Sequence, residues 1–205
     1  MFPQSVQINQ KILYSPTPCY YQTYGTPTTT KDILKCCNQY DAFLVAGTSP
    51  SSETFLVGAY GFTSTICKQT ALDSPTSDLF GVWWYFTPSH SFGFADSGDI
   101  SQTSADTKAG ANRLSWRLDQ GDGGYRIGDI TDLNGDSTYY KVIYGYKLCQ
   151  VGTYSSTGYA PCTRCAAGSS VAEAGATICI PGLIIATFIF DRSLSYFKID
   201  SMMYF

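Results

Sequence analysis

The sequence is short of charge. Lys, Arg, Asp and Glu make up 14% of its 205 residues, with a net charge of −3, against roughly 25% in an average soluble domain. No face can carry the dense basic stripe that nucleic acid or an anionic membrane requires. Histidine is scarcer still. His90 stands alone, so a Ser-His-acid triad would have to pass through it, and no serine sits in the Gly-x-Ser-x-Gly turn that presents a nucleophile. There is no His-Glu-x-x-His zinc helix and no Walker loop; Gly121-Asp122-Gly123-Gly124 is glycine-rich but opens no evident helix. None of Asn9, Asn38, Asn112 and Asn134 is followed two positions later by Ser or Thr, which excludes N-linked glycosylation. The longest apolar run, Leu183 to Phe190, falls short of the roughly 20 residues of a transmembrane helix. Met1-Phe2-Pro3-Gln4-Ser5-Val6-Gln7 lacks the charged and apolar regions of a secretory leader, so an exported form is expected to start further upstream.

What is abundant points the other way. Hydrophobic residues reach 44%, enough for a core, and aromatics 15%, with 16 Tyr. Tyrosine is amphipathic and has a low ordering cost, which suits strands, interfaces and sugar contacts. The eight cysteines are an even, high count of the kind found in oxidised, secreted proteins. The length predicts one main domain and a smaller module.

Residues 1–31 are rich in Pro and Thr and read as an extended N-terminal segment, since proline fixes φ and disfavours helix before it. The Ser/Thr/Pro clusters there make Thr17, Thr26, Thr28, Thr29 and Thr30 candidates for O-glycosylation. Thr29 or Thr30 can cap a short helix that carries Asp32 in its first turn. Residues 32–148 read as one β domain, with all-β texture from about residue 40. Phe43-Leu44-Val45-Ala46 and Phe55 to Tyr60 are short apolar runs, followed by Val82 to Phe86 and Phe92-Gly93-Phe94. Leu114, Trp116 and Leu118 alternate with Arg113, Ser115 and Arg117, which places the first set toward a core and the second toward solvent. Turn clusters between these runs predict an antiparallel β-sandwich of jelly-roll type. From Cys149 to residue 182 the texture becomes Gly, Ser, Thr and Cys, too poor in apolar side chains to fold without covalent staples. Residues 183–205 form an apolar C-terminal tail.

Cys19, Cys36, Cys37 and Cys67 precede that module. Neighbouring cysteines rarely bond each other, because a disulfide needs converging Cβ vectors. Cys36 and Cys37 should therefore each reach out, one to Cys19 and one to Cys67; we favour Cys19–Cys36 with Cys37–Cys67 and leave the crossed pairing open. In the module itself, Gly152-Thr153-Tyr154-Ser155-Ser156-Thr157-Gly158, then Pro161-Cys162-Thr163-Arg164-Cys165 and Gly175-Ala176-Thr177-Ile178-Cys179, resemble the ephrin-receptor-like cysteine-rich repeat, a relative of TNF-receptor-type modules. The resemblance covers about 31 residues. It implies bonds Cys149–Cys162 and Cys165–Cys179, and a place in a tandem extracellular array. A zinc site would call for two Cys-x-x-Cys knuckles, and this segment has one. Further upstream, Gly81 to Phe86, Ser91 to Phe94, Arg113 to Trp116 and Gly123 to Gly128 resemble an uncharacterised β-rich module of microbial eukaryote surface proteins, which implies no activity.

Two other groups invite a ligand. Asp132, Asn134 and Asp136 are spaced like the start of a calcium loop, although Ile143 occupies the position where an EF-hand places its bidentate Glu. The competing reading is that these side chains make turns. Trp83 and Trp84 could stack on sugar, but adjacent strand residues point to opposite faces, so one of them belongs to the core. The sequence therefore predicts no catalytic residue and no obligate cofactor. It predicts a structural or adhesive extracellular protein, a self-associating subunit of a glycosylated fibre or coat, with Leu183–Phe190 as an unpaired strand for a neighbouring subunit. A carbohydrate-binding module is the alternative.

Overall fold

The computed structural model describes residues 18–51 and 55–181. Thr17 and the Leu183–Phe190 run lie outside the described residues. The chain divides into two compact units between Tyr146 and Lys147.

The first unit is mainly β. Its strands are β1 (Tyr20–Thr23), β2 (Ala42–Thr48), β3 (Val57–Phe62), β4 (Thr76–Ser77), β5 (Trp83–Thr87), β6 (Ser91–Ala95), β7 (Leu114–Arg117), β8 (Arg126–Ile127) and β9 (Tyr140–Tyr146). They form two antiparallel sheets, one in the order β1-β9-β2-β3 and one in the order β4-β5-β6-β7-β8. Phe43, Val45 and Ile143 from the first sheet join Trp84, Phe86, Phe92, Leu114 and Trp116 from the second in a single buried cluster. The fold is therefore a sandwich, as the turn spacing predicts. Register assigns the faces: Trp84, Phe94, Leu114 and Ile127 stand opposite one another across β5 to β8.

Helix α1 (Thr30–Cys37) begins where its capping residues require. Thr29 is the N-cap: its Oγ1 accepts from the Asp32 backbone N–H, and the Asp32 carboxylate accepts in turn from the Thr29 N–H. Helix α2 (Thr63–Ile66) is a single turn after β3. The bonds Cys19–Cys36 and Cys37–Cys67 tie α1 on one side to the start of β1 and on the other to the end of α2. Adjacent Cys36 and Cys37 thus pull in different directions, in the favoured pairing.

Residues 18–28 are largely extended, but they are not a flank. β1 pairs antiparallel with β9, Tyr24 is fully buried, and Thr28 bridges to Leu118. An extended, proline-interrupted stretch still has strand geometry, and here a sheet edge receives it. Residues 18–31 therefore belong to the first unit together with the strands that follow.

A second departure concerns β7. Leu114, Trp116 and Leu118 are buried as expected, but so are Arg113 and Ser115, at 4% and 0% exposure. The loop 96–112 crosses the outer face of the second sheet and removes it from water. Ile100, Gln102, Ala105 and Asp106 are the buried residues of that cover.

The second unit begins at Lys147, two residues before its first cysteine. The Lys147 carbonyl accepts from Ala160 N–H, and Leu148 bridges to Tyr159. Two tiny hairpins follow, β10 (Thr153–Tyr154) with β11 (Thr163–Arg164) and β12 (Ser169–Ser170) with β13 (Ile180–Pro181). Its buried apolar residues are Cys149 and Val171. Disulfide Cys149–Cys162 ties the two arms of the first hairpin and Cys165–Cys179 links the first hairpin to the second, in the pairing that the repeat resemblance implies. The described residues contain no free cysteine. Four disulfides fit an oxidising environment such as the secretory route. Among the described residues no helix is long and apolar enough to cross a membrane.

Cys37–Cys67 spans 30 residues. Replacing both cysteines with serine should destabilise the first unit by about 3–4 kcal/mol through the freed denatured chain, read as a lower urea midpoint.

Candidate functional site

The two sheets differ in what their outer faces meet. Strand alternation on β2 sends Phe43, Val45 and Gly47 inward and Ala42, Leu44 and Ala46 outward. Cross-strand register then aligns Tyr60 with Leu44 and Tyr144, and Phe62 with Ala42 and Tyr146. The outer face of the first sheet is thus a layer of aromatic rings. Leu44, Ala46 and Phe55 are buried beneath it, with Tyr144 and Tyr146 packed on them half-exposed. Tyr60 meets Phe62, Phe80 and Tyr146 edge to face, with ring centroids 6.0, 5.9 and 6.1 Å apart. At the β1 edge Tyr21, 47% exposed, stacks on Tyr140 at 4.8 Å. Burial and the neighbouring Tyr140 and Tyr144 hydroxyls push the Tyr21 phenol above its ordinary value.

Phe80 reaches this face from the loop between β4 and β5. Asp78 builds that loop. One carboxylate oxygen accepts from the backbone N–H of Phe80 and of Val82, and the other from the Trp84 indole N–H at 2.8 Å. Phe80 and Leu79 are held outward at 50% and 91% exposure.

The outer face of the second sheet is sealed by a buried polar layer. Arg113 and Asp106 form an ion pair at 2.9 Å with side-chain exposures of 5% and 0%. The same guanidinium donates to the Asp99 carbonyl and the Ser97 hydroxyl. Asp106 also accepts from the backbone N–H groups of Ser101 and Lys108, while its own N–H donates to Ser115 Oγ. Gln102 donates to Ser91 and Thr87. Tyr85 reaches across Gly93 to donate to the Leu114 carbonyl, and a side chain at position 93 would collide with that carbonyl, its Cβ only 2.0 Å away. Burial pushes the Tyr85 phenol far up.

Lys141 is a second buried cation. It is fully buried, and its Nζ donates to the Thr26 carbonyl (2.5 Å), Thr28 Oγ1 (2.6 Å) and the Gly123 carbonyl (2.8 Å). An ammonium has three donors, so the cage matches it one for one. Gly123 must be glycine, because a Cβ there would sit 2.0 Å from the Thr26 carbonyl oxygen. Loss of hydration lowers the Lys141 ammonium to about 7, with the Asp32 carboxylate acting in the opposite direction.

The residues singled out from the sequence are dispersed over this framework. Trp84 is 1% exposed in the core with its indole N–H committed to Asp78, so it cannot stack on sugar. Trp83 lies on the opposite face, half-buried, with its ring over Gly98. Thr28 is fully buried and bonded to Tyr20 and Lys141, which removes it as a glycan carrier. Thr29 is exposed but caps α1. Thr30 donates to Asp119, and Thr26 is hydrogen-bonded to Thr23. Asp136 accepts from Thr138 N–H, Thr138 Oγ1 and Tyr139 N–H, bonds that hold its carboxyl below the usual range despite some burial. Asp132 accepts from Thr131 Oγ1, and Asn134 Oδ1 is buried without a hydrogen-bond partner. Of the three, Asp136 makes the side-chain-to-backbone bonds of a turn. Among the described residues no three His, Cys, Asp or Glu side chains converge. His90 Nδ1 lies 3.1 Å from the Pro88 carbonyl within its own turn.

The sequence reading missed the aromatic face. The signal was present: four successive apolar residues, Phe43 to Ala46, leave no polar side to the strand, which is the pattern of a strand covered on both faces.

Two measurements probe the buried charges. Asp106→Ala leaves the buried Arg113 guanidinium with Asp96, at 3.5 Å, as its remaining ion-pair partner and should destabilise the first unit by about 3 kcal/mol, visible in chemical unfolding. For Lys141 the sign is fixed by its lowered folded value. Between about 7 and the ordinary lysine value of 10.5 the unfolded chain binds the extra proton. The penalty is therefore full below about 7, and stability should rise with pH above it. Urea midpoints from pH 7 to pH 9 should climb in the natural chain and flatten in Lys141→Met.

Protein-family models, curated proteins and solved structures contain no match to this chain.

Proposed function

We propose that the protein is a structural or adhesive module of an extracellular surface, fibre or coat, acting by contact and not by catalysis. The observation that carries this reading is the uncharged aromatic outer face of the first sheet, rigidly backed by a disulfide-tied sandwich. Tyrosine and phenylalanine are enriched at interface cores where charge is depleted. The four disulfides support an extracellular setting. In this reading the second unit is an ephrin-receptor-like repeat serving as a short connector, its shape held by Cys149–Cys162 and Cys165–Cys179 and not by a core.

A carbohydrate-binding role is the second reading. It is favoured by the Tyr21–Tyr140 stack, whose outer ring is open to solvent. A glycan array would show selective binding lost in Tyr21→Ala or Trp83→Ala.

The leading reading is tested by immunolabelling intact cells and by electron microscopy of native material. Label in an ordered external layer or filament is the expected result. A dispersed intracellular protein with eight free thiols by intact mass would overturn it.

A further inference from the structure

We propose that the Asn134–Gly135 peptide is a site of spontaneous, time-dependent modification, where deamidation to isoaspartate loosens the attachment of the segment around Gly25 to the rest of the first unit. The step needs no enzyme, cofactor or oxidant. The Gly135 amide nitrogen attacks Asn134 Cγ and forms a C–N bond. The carboxamide nitrogen leaves as ammonia, taking the proton that the amide gives up. The product is a five-membered succinimide. Water opens it at one of its two carbonyls, to aspartate or to isoaspartate. A following glycine favours the closure, because it has no side chain to obstruct the ring and a permissive backbone.

The structure separates this peptide from the others where the same chemistry is conceivable. Asn134 and Gly135 are the central residues of a turn closed by the Asp136 N–H, which donates to the Leu133 carbonyl at 3.0 Å. Gly135 is exposed, and a Cβ there would meet nothing within 4 Å. Its N–H donates no hydrogen bond among the described residues. Asn134 Oδ1 is buried without a partner, which native folds rarely leave. Neither reacting group is therefore held back by a hydrogen bond. Asp122–Gly123 could close the same ring with loss of water. There, however, the Gly123 N–H donates to the Asn134 carbonyl, and the Asp122 carboxylate is paired with Arg117 at 2.5 Å. Asn9, Asn38 and Asn112 precede Gln10, Gln39 and Arg113, whose side chains obstruct closure.

The backbone around the turn is closely packed. The Gly25 N–H donates to the Asp136 carbonyl at 2.5 Å, and a Cβ on Gly25 would lie 2.9 Å from the Gly135 carbonyl carbon. The Asn134 carbonyl accepts from Gly123, whose own carbonyl accepts from Lys141. Isoaspartate routes the main chain through the former side-chain carbon. It adds a methylene to the turn and converts the Asn134 carbonyl into a carboxylate off the chain. Those contacts cannot all persist. Aspartate keeps the backbone and only adds a negative charge to the net −3. The two products are thus distinguishable by what they do to Gly25 and Gly123.

The test ages the full, oxidised chain in mildly alkaline buffer. Conversion is followed by peptide mass and by methyl transfer from a protein isoaspartate methyltransferase. Acid-form mass and methyl label should grow with time at residue 134, in the tryptic peptide running from Ile127 to Lys141, and not at Asn9, Asn38, Asn112 or Asp122. Gly135→Ala should slow conversion about tenfold. The fold accepts that variant, since the position is open and its φ lies outside the left-handed region. The isoaspartyl chain, resolved by chromatography, should show faster hydrogen exchange at the Gly25 and Gly123 amides and a lower urea midpoint. The aspartyl chain and Asn134→Asp should keep both amides protected. A urea-unfolded sample aged in parallel shows that the buffer drives the chemistry. If that sample converts while the folded chain keeps its amide, the turn is protected and the site is overturned. Conversion at the other asparagines at the same rate would overturn its selectivity. An isoaspartyl chain with unchanged exchange at Gly25 and Gly123 would overturn the loosening.

Discussion

Lys141 and Arg113 are withdrawn from water in a chain that has only 13 basic residues, and a buried charge must be met by oxygens. That demand organises the first unit outside its apolar layer. The Lys141 ammonium gathers Thr26, Thr28 and Gly123 around one point, so that the N-terminal segment and the loop after β7 are locked to β9. Tyr24, buried beside it, donates to the Arg126 carbonyl and accepts from the Trp116 indole. Arg113 does the same for the loop 96–112, drawing in Asp106, Asp99 and Ser97. The sandwich core supplies the driving force; these cations, together with Arg126, 2% exposed and donating to the Gly128 and Lys108 carbonyls, decide where the irregular chain lies. Lys141 has all three of its donors met, two of them by backbone carbonyls, whereas the Arg113 Nε is buried without a partner.

Most of the β framework was legible in the sequence, because period-two alternation and turn residues report backbone geometry directly. The α1 cap was legible in Thr29 and Asp32 for the same reason. Faces were harder. Alternation at Arg113, Ser115 and Arg117 correctly separates two sides of β7 but says nothing of whether a loop far along the chain will cover the polar one. The burial of Lys141 was likewise hidden, since its three acceptors come from positions 26, 28 and 123, and two of them are backbone carbonyls with no side-chain signature. Trp84 could not be told from Trp83 by pattern alone. The register with Phe94, and the hydrogen bond to Asp78, decide which indole is interior.

The two units rely on different means of holding shape. In the first, disulfides fasten α1 and α2 to a body that already has a continuous core. In the second, very little side chain is sequestered, and the backbone is organised by short turns, several with glycine in the left-handed region. Gly158 is one, where a Cβ would meet the Gly175 carbonyl oxygen at 2.3 Å. Remove the sulfur bridges from the first unit and a weakened sandwich remains. Remove them from the second and few packed residues stand against chain entropy.

Every bridge closes within its own unit, over separations of 17, 30, 13 and 14 residues. Eight thiols in one pool admit 105 pairings, but two sets of four admit three each. During synthesis, Cys19 to Cys67 emerge long before Cys149, and their partners are all within reach before the later four exist. Isomerase-assisted oxidation can thus finish one half of the molecule while the ribosome is still making the other. A protease cutting between Tyr146 and Lys147 would leave no covalent link between two internally stapled polypeptides.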